Sequence, residues 1–271
     1  MTHKPHTGRL QKLALSLSLR WLSVVIAALA LYVATSFAAP TLVHLGFTGL
    51  GEFVYRLYGP FCHQFAFRSF FMYGAQAAYP RAVSAVQAAP FETYAAAAPA
   101  FQERYAYWYS VFNNGAVPDA ISPSDLAEMT PWLEFASRDF YGTPEMGYKT
   151  ALCQRDIAIY SAMLLGALIY SVPYMRQRLR PAPLWLFVFL GLSPIALDGM
   201  SQLISYPPFE WWPTRETQPV FRLVTGALFG LMFAWFFLPR LERSFSETAR
   251  QIARKMAGTE AQQLPASRKS P

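Results

Sequence analysis

The chain has 271 residues, of which 54% are hydrophobic, 16% are aromatic and only 14% are charged. This composition is more apolar than that of a soluble domain and is typical of an integral membrane protein. The formal net charge of +7 would also suit a nucleic-acid partner, but the basic residues are concentrated beside apolar runs. Flanking positive charge orients membrane proteins and favours anionic leaflets. The lipid bilayer is therefore the predicted partner, and nucleic acid is excluded.

The first apolar run, Trp21–Val43, contains no charged residue. It is long enough to cross a hydrocarbon core of about 30 Å at about 1.5 Å per residue. A cleaved signal peptide is the competing interpretation, because Arg20 precedes the run and Ser36-Phe37-Ala38 resembles a cleavage site. The run stays apolar beyond that site, which favours a retained transmembrane helix.

Three further apolar runs predict three more transmembrane helices, at Ile157–Met175, Leu184–Ile204 and Pro219–Leu238. The last two each contain a single charged residue, Asp198 and Arg222 respectively. Intramembrane ionisable residues are costly, so they usually face the bundle interior and are paired. We expect Asp198 to pair with Arg222 or with Arg68.

The charges of the connecting segments predict the orientation. The N-terminus, the Arg176–Arg180 loop and the tail from Pro239 hold fourteen basic and three acidic residues. The Val43–Asp156 and Ser205–Gln218 segments hold eight basic and twelve acidic residues. The positive-inside rule then puts both termini in the cytoplasm of a multi-pass cell-membrane protein.

The segment between the first two spans is the least membrane-like. Leu45–Gly59 is apolar except for isolated charges and predicts an amphipathic helix on the outer surface. Phe91–Asn113 is predicted to be helical with a break near Pro99. The predicted fold is an all-α integral membrane protein: residues 1–20, basic cytoplasmic N-terminus; 21–43, first transmembrane helix; 44–74, outer amphipathic helix and Cys-His-Gln segment; 75–148, extracytoplasmic insertion; 149–241, three-helix transmembrane core; 242–271, basic cytoplasmic tail.

On this topology the unusual polar residues fall on the outer side, and they form the candidate site. The members are Cys62, His63, Gln64, Arg68, Cys153, Arg155, Asp156, Asp198, Gln202, Arg215, Glu216 and Arg222. The four arginines of this set can receive an anionic group or pair with neighbouring carboxylates, and pairing is the favoured interpretation. Tyr206, Trp211 and Trp212 are typical of an interfacial aromatic belt. Gly226-x-x-x-Gly230 suits helix packing within the fold as well as dimerisation.

Five blocks of these residues also carry a family resemblance. They are Cys62-His63-Gln64 with Arg68-Ser69-Phe70-Phe71, Cys153-x-Arg155-Asp156 with Tyr160, Pro194-x-x-x-Asp198-Gly199-x-x-Gln202, Arg215-Glu216-Thr217, and Arg222-x-x-Thr225-Gly226. In order and spacing they resemble an uncharacterised prokaryotic family of predicted membrane proteins, domain of unknown function family 2085. In most members the first two blocks lie much closer together, so Ala75–Tyr148 is an insertion. The resemblance implies a fold and candidate residues but no activity and no cofactor.

The two cysteines, both predicted on the oxidising side, suggest a disulfide between Cys62 and Cys153. A redox-active pair, two unlinked thiols, and a metal or haem site that uses His63 with a cysteine, Asp156 or Asp198 remain alternatives. The favoured function is a non-enzymatic accessory or ligand-binding subunit, whose insertion would contact a membrane-protein partner. The alternative is a membrane redox or metal-dependent enzyme that uses the outer cluster as its active site.

Overall fold

The computed structural model describes residues 7–263, and most of them are helical. Residues 1–6 of the predicted N-terminal segment and 264–271 of the predicted tail lie outside this range. Within it, three helices are long and apolar enough to cross a membrane: Gly8–His44, Leu184–Leu203 and Pro219–Ala257. The first lies in helix α1 (Thr7–His44), which includes the Ser36–Ala38 segment.

The second predicted span is helical but shorter than expected. Helix α6 runs over Gln154–Ser171 and a short helix α7 follows at Pro173–Arg178. The break falls at Val172, which is extended (ψ 125°), because a residue that precedes proline disfavours the helical conformation. The helix therefore ends before the predicted limit at Met175.

The third apolar helix contains an irregular middle. Helix α8 (Leu184–Leu186), a π-helical segment (Phe187–Leu192) and helix α9 (Ser193–Leu203) are continuous in the chain. Pro194 in the first turn of α9 has no backbone N–H to donate to the preceding turn. A widened segment ahead of it accommodates that loss. The side chain of Ser193 donates a hydrogen bond to the Val188 carbonyl across this segment (2.8 Å).

Helix α10 (Pro219–Gln263) packs closely along α6 through glycines on both helices. A Cβ atom at Gly230 would lie 2.3 Å from the Ile159 carbonyl oxygen, and one at Gly226 would lie 2.7 Å from that of Arg155. A Cβ atom at Gly166 would come within 2.5 Å of the Ala234 side chain. The Gly226-x-x-x-Gly230 pattern therefore serves helix packing within this chain.

Helix α2 (Thr48–Tyr58) lies within the predicted amphipathic segment and packs against α1. Its buried side carries Val54, Tyr55 and Tyr58, whereas an apolar row on the other side is exposed. That exposed row consists of Leu50, Phe53 and Leu57. A helix with one face on the protein and an exposed apolar face suits a membrane interface.

The fold is not all-α, which corrects the sequence-based prediction. Strands β1 (Ser69–Met72), β2 (Gly142–Thr143) and β3 (Gly147–Cys153) form an antiparallel sheet in the order β1-β3-β2. Gly142 and Gly147 have φ of +129° and +78°, values that glycine adopts without strain. They bound the tight turn that pairs β2 with β3, and β3 leads directly into α6. The prediction missed the sheet because its strands are short and because β1 lies far from β2 and β3 in the sequence.

The insertion contains three helices and an aromatic core. Helices α3 (Phe91–Ala97) and α4 (Pro99–Phe112) are separated at Ala98, so the predicted break near Pro99 is confirmed. Helix α5 spans Pro131–Asp139. Two single 3₁₀ turns lie at Ala66–Arg68 and Ala82–Ser84. Buried aromatic side chains of this core include Phe67, Phe71, Tyr79, Phe91, Phe101 and Phe140.

Candidate functional site

Glu216 is the centre of a buried ion-pair group. Its carboxylate accepts hydrogen bonds from Arg68 Nε (2.9 Å) and Nη2 (3.1 Å), from Arg222 and from the Tyr206 hydroxyl. Only 1% of the Glu216 side chain is exposed. Burial alone would raise the pKa of Glu216, but the Arg68 and Arg222 guanidinium groups lower it to about 2. The residue is therefore ionised and binds three separate segments of the chain.

Asp198 on α9 is the centre of a second group. It pairs with Arg155 on the first turn of α6 and with Arg215 Nη2 (2.9 Å), and it accepts a hydrogen bond from Thr217 Oγ1 (2.9 Å). The expected pairing of Asp198 with Arg222 or Arg68 is wrong, because both of those arginines bind Glu216 instead. Glu216 pairs with Arg68 and Arg222 because it lies between the two chain segments that carry these arginines.

Gln202 joins the two groups. Its Oε1 accepts hydrogen bonds from Thr217 Oγ1 (3.1 Å) and Arg222 Nη2 (3.4 Å), and its Nε2 donates to the Tyr206 hydroxyl (2.8 Å). We call the six ionised members of the two groups the arginine network. It contains more positive than negative groups: Arg68, Arg155, Arg215, Arg222, Asp198 and Glu216.

A pocket of about 370 Å³ lies beside the arginine network. Arg155 lines it, and its Nε is buried and has no hydrogen-bond partner among the described residues. His63 lines the pocket too, with its exposed ring near that of Phe65 (centroids 5.4 Å apart). Burial raises the pKa of Glu134 at the pocket wall, although Arg68 and His63 act against this shift. The other lining residues are Arg68, Gly199, Gln202, Leu203 and Tyr206.

Gln64 has a structural position between α2 and β3. Its Nε2 donates to the carbonyl oxygens of Tyr55 and Ala151, both at 2.9 Å. Its backbone has a positive φ of 57°, and its own carbonyl accepts a hydrogen bond from Lys149 Nζ (2.6 Å). Gln64 therefore connects α2 to β3 and does not line the pocket.

Lys149 is a buried cation that the sequence analysis did not select. Besides Gln64, its ammonium group donates to the carbonyl oxygens of Ser137 (3.0 Å) and Arg138 (2.6 Å). Burial lowers the pKa of Lys149 to about 7. The only indication in the sequence was a single lysine within the apolar β3 segment. Its three carbonyl partners come from residues of other segments, so only the tertiary structure shows them.

The two cysteines are neighbouring free thiols, so the predicted Cys62–Cys153 disulfide is wrong. A disulfide needs sulfur atoms about 2.05 Å apart. Here the sulfurs are separate, and the Cys62 sulfur accepts a hydrogen bond from the Cys153 backbone N–H (3.3 Å). A hydrogen bond with Cys153 and burial raise the pKa of the Cys62 thiol. Cys62 is thus protonated at neutral pH unless a cation approaches it.

Asp156 completes a cluster with these cysteines. The Cys62 and Cys153 sulfurs and an Asp156 carboxylate oxygen all lie within 4.8 Å of one another. We call this group the thiol cluster. Cys62 is buried in a contact group that also includes Tyr58, with Tyr32 and Tyr160 packed against it. His63 lines the pocket and is not a member of the thiol cluster, although it follows Cys62 in sequence.

Tyr206 was expected in an interfacial belt, but it is buried, and its hydroxyl donates a hydrogen bond to Glu216 and accepts one from Gln202. Burial and the nearby Glu216 carboxylate raise its pKa to about 12. Trp211, by contrast, is exposed and fits the predicted belt. Aromatic type alone did not distinguish these two positions.

Helices of membrane-spanning length and a buried ionic network define the chain as a helical membrane protein by class. Residues 144–236 match the family model described as "Predicted membrane protein (DUF2085)". The predicted family resemblance is thereby confirmed over this segment, which holds Cys153, Arg155, Asp198, Glu216 and Arg222.

One relative is "Uncharacterized protein MJ1492" of Methanocaldococcus jannaschii, which is 30% identical over 93 residues. The aligned residues are 34% of this chain and 54% of that protein, so the chain spans about half the length of the relative. No solved structure matches the chain significantly.

Proposed function

We propose that this protein is a non-enzymatic, ligand-binding membrane subunit that binds an anionic group in the pocket beside the arginine network. In this proposal α1, α6, the Leu184–Leu203 helix and α10 all cross the membrane, with both termini in the cytoplasm. The pocket and the insertion then lie on the outer side. Arg155 lines the pocket, and its buried Nε has no hydrogen-bond partner among the described residues; this observation carries the binding proposal.

The distribution of charge along the bundle supports this orientation. At the end opposite the pocket, Arg176 pairs with Glu242 (2.8 Å), which also accepts a hydrogen bond from Trp21 Nε1 (3.0 Å). Arg240 donates to the Ala182 carbonyl at the same end (3.0 Å). The three basic segments of the chain therefore meet at one end, as expected for a cytoplasmic surface.

The surface of α6 supports its role as a fourth span. Its 18 residues extend about 27 Å at about 1.5 Å per residue, close to the thickness of a hydrocarbon core. Leu165, Leu168 and Ile169 are exposed on its surface. An exposed apolar row on a helix packed against α10 suits contact with lipid.

The bonding of the arginine network favours binding over catalysis. Asp198 and Glu216 are each bound by two arginines, so neither carboxylate is available as a general base. The excess positive charge and the unsatisfied Nε of Arg155 instead favour an anion with one or two negative charges. A phosphate group meets this requirement, either on a lipid head group or as a soluble ion.

Binding is tested on the full chain in nanodiscs by titrating inorganic phosphate. Arg155→Lys keeps the positive charge beside Asp198 but removes Nε, and we expect about tenfold weaker binding from the loss of one charged hydrogen bond. Arg176→Lys, at the opposite end, is the matched control and should not change the affinity. Equal affinity in the wild type and Arg155→Lys would refute the proposal.

A second arm distinguishes the two sources of phosphate. The thermal unfolding of the wild type and of Arg155→Lys is compared in nanodiscs of phosphatidylglycerol and in nanodiscs of phosphatidylcholine. Stabilisation by phosphatidylglycerol that depends on Arg155 identifies a lipid head group. Stabilisation by soluble phosphate alone identifies a free anion.

The orientation is tested with a reporter enzyme that is active only outside the cytoplasm. We expect no activity when the reporter is fused to the C-terminus and full activity when it is inserted at Gly115, in an exposed turn of the insertion. The reverse pattern would contradict the orientation.

A further inference from the structure

The thiol cluster lies where three elements of the chain meet. Cys62 follows α2, Cys153 is the N-cap of α6, and Asp156 lies in the first turn of α6. Residues three positions apart near a helix start lie on the same side, which brings Cys153 and Asp156 together. The fold then adds Cys62 from a segment 91 residues earlier in the chain.

The bonding of Asp156 differs from that of Asp198 and Glu216, the two carboxylates of the arginine network. Asp198 and Glu216 are each paired with two arginines. Asp156 belongs to none of the ion pairs formed by the described residues, and its neighbours in the cluster are two thiols. A carboxylate and two thiols are all groups that can bind a metal cation.

We propose that Cys62, Cys153 and Asp156 bind a thiophilic divalent metal ion, with zinc as the preferred ion. Thiolate sulfur and carboxylate oxygen bind zinc at about 2.3 Å and about 2.0–2.2 Å in a tetrahedral arrangement. Two such sulfurs lie about 3.8 Å apart by that geometry. Donor atoms already within 4.8 Å of one another need to approach by only about 1 Å to bind an ion.

The three residues leave one tetrahedral position free. Cys153 and Asp156 are partly exposed, so water or an added ligand can reach the ion. Three protein ligands with one open position are typical of reactive zinc sites, whereas closed structural sites use four. None of the three residues lines the pocket beside the arginine network, so this inference is independent of the proposed anion binding.

Metal binding has a defined proton balance. Each thiol must lose its proton to become a ligand, so binding of one divalent ion releases up to two protons from Cys62 and Cys153. The carboxylate of Asp156 is the third donor. No electron transfer or added reactant is required.

The test uses the full chain, purified in detergent with a reductant and then freed of metal by a chelator. Cobalt(II) is titrated first, because thiolate ligation gives a charge-transfer absorption band, and zinc is then added to displace it. We expect one cobalt per chain, loss of the band on zinc addition, and protection of both thiols from an alkylating reagent by zinc.

Three variants assign the ligands. Cys62→Ser and Cys153→Ser should each abolish the charge-transfer band or shift it to that of a single thiolate. Asp156→Asn should weaken zinc binding at least about tenfold, since even the loss of a residue that only supports a ligand typically costs that much. Asp119→Asn removes an exposed carboxylate of the insertion and is the matched control with unchanged affinity.

Several outcomes would overturn the proposal. They are binding below one equivalent, thiols that stay equally reactive with zinc, equal zinc affinity in Asp156→Asn and Asp119→Asn, and recovery of a Cys62–Cys153 bridge from cells. If the cysteine variants fail to fold, two measurements still test the metal site. They are the protection of thiols by zinc in the wild type and the zinc affinities of Asp156→Asn and Asp119→Asn. Phosphate affinity of the metal-free protein is measured in parallel, so failure of the metal site is distinguishable from failure of the anion pocket.

Discussion

The two ends of the helix bundle both contain arginine–glutamate ion pairs, but their environments differ. At the pocket end, the Glu216 and Arg222 side chains are 1% and 3% exposed. At the opposite end, Glu242 and Arg176 are 23% and 36% exposed. The same chemical pair is thus used once inside the protein and once near its surface.

This difference in burial decides what each pair contributes. A buried charge that loses its partner stays desolvated, which is strongly destabilising, whereas an exposed charge is rehydrated by water. The buried pair also has more partners, because Glu216 binds Arg68 and Tyr206 as well as Arg222. We therefore expect substitutions at the pocket end to have much larger effects on stability.

The largest effect is expected for Glu216→Gln. The substitution keeps the size of the side chain but leaves Arg68 and Arg222 without a counter-charge. We expect the free energy of unfolding to fall by about 3–5 kcal/mol, the usual cost of breaking a buried ion pair. Unfolding by denaturant in detergent micelles measures it. A loss as small as that of Glu242→Gln would remove the distinction between the two ends.

The pH dependence of stability gives the next effect. Arg68 and Arg222 lower the pKa of Glu216 from its ordinary value of 4.5 to about 2. The stabilising contribution of the carboxylate is therefore complete above about pH 4.5 and is lost as the pH falls through about 2. It amounts to about 3 kcal/mol, since one pKa unit corresponds to about 1.4 kcal/mol. Acid unfolding of wild type and Glu216→Gln measures it, and identical acid profiles would contradict this origin.

A smaller loss is expected for Asp198→Asn. The substitution leaves Arg155 and Arg215 without their carboxylate, but 41% of the Arg215 side chain is exposed and can be rehydrated. We expect a loss of about 2 kcal/mol, the contribution of a hydrogen bond to a charged group. Thermal unfolding measures the stability, and phosphate titration is run on the same sample. Unchanged stability with lost phosphate binding would instead show that Asp198 acts by positioning Arg155 for the anion.

The smallest effect is expected for Glu242→Gln at the opposite end. Its pair with Arg176 is partly exposed, so its removal should cost no more than about 1 kcal/mol. The hydrogen bond from Trp21 can be kept by the amide oxygen of glutamine. Thermal unfolding at low and high salt measures the change, and a loss above that of Asp198→Asn would reverse the comparison.

Much of the helical framework was predictable because it depends on local sequence. Apolar runs predicted helices at Trp21–Val43, Leu184–Ile204 and Pro219–Leu238, and proline predicted the break at Pro99. The family resemblance also followed from short blocks of residues, and the family model bears it out for residues 144–236. Helix formation and local breaks need no information from distant parts of the chain.

The partners of the polar residues were less predictable. Asp198 was assigned to Arg222 or Arg68 but binds Arg155 and Arg215. A row of charges along a sequence gives the type of each group, but the choice of partner depends on which elements pack together. Arg68 and Glu216 are 148 residues apart in the sequence, and they pair because the fold brings their segments together.

By itself, the sequence determined the apolar helices and the basic segments beside them, because hydrophobicity and charge act locally. Only the tertiary structure decided the small sheet, the burial of Tyr206 and Lys149, and the separation of the thiol cluster from the pocket. These features depend on contacts between residues far apart in the chain. Cys62 and His63 illustrate this: they are adjacent in sequence, yet backbone geometry directs them to two different sites.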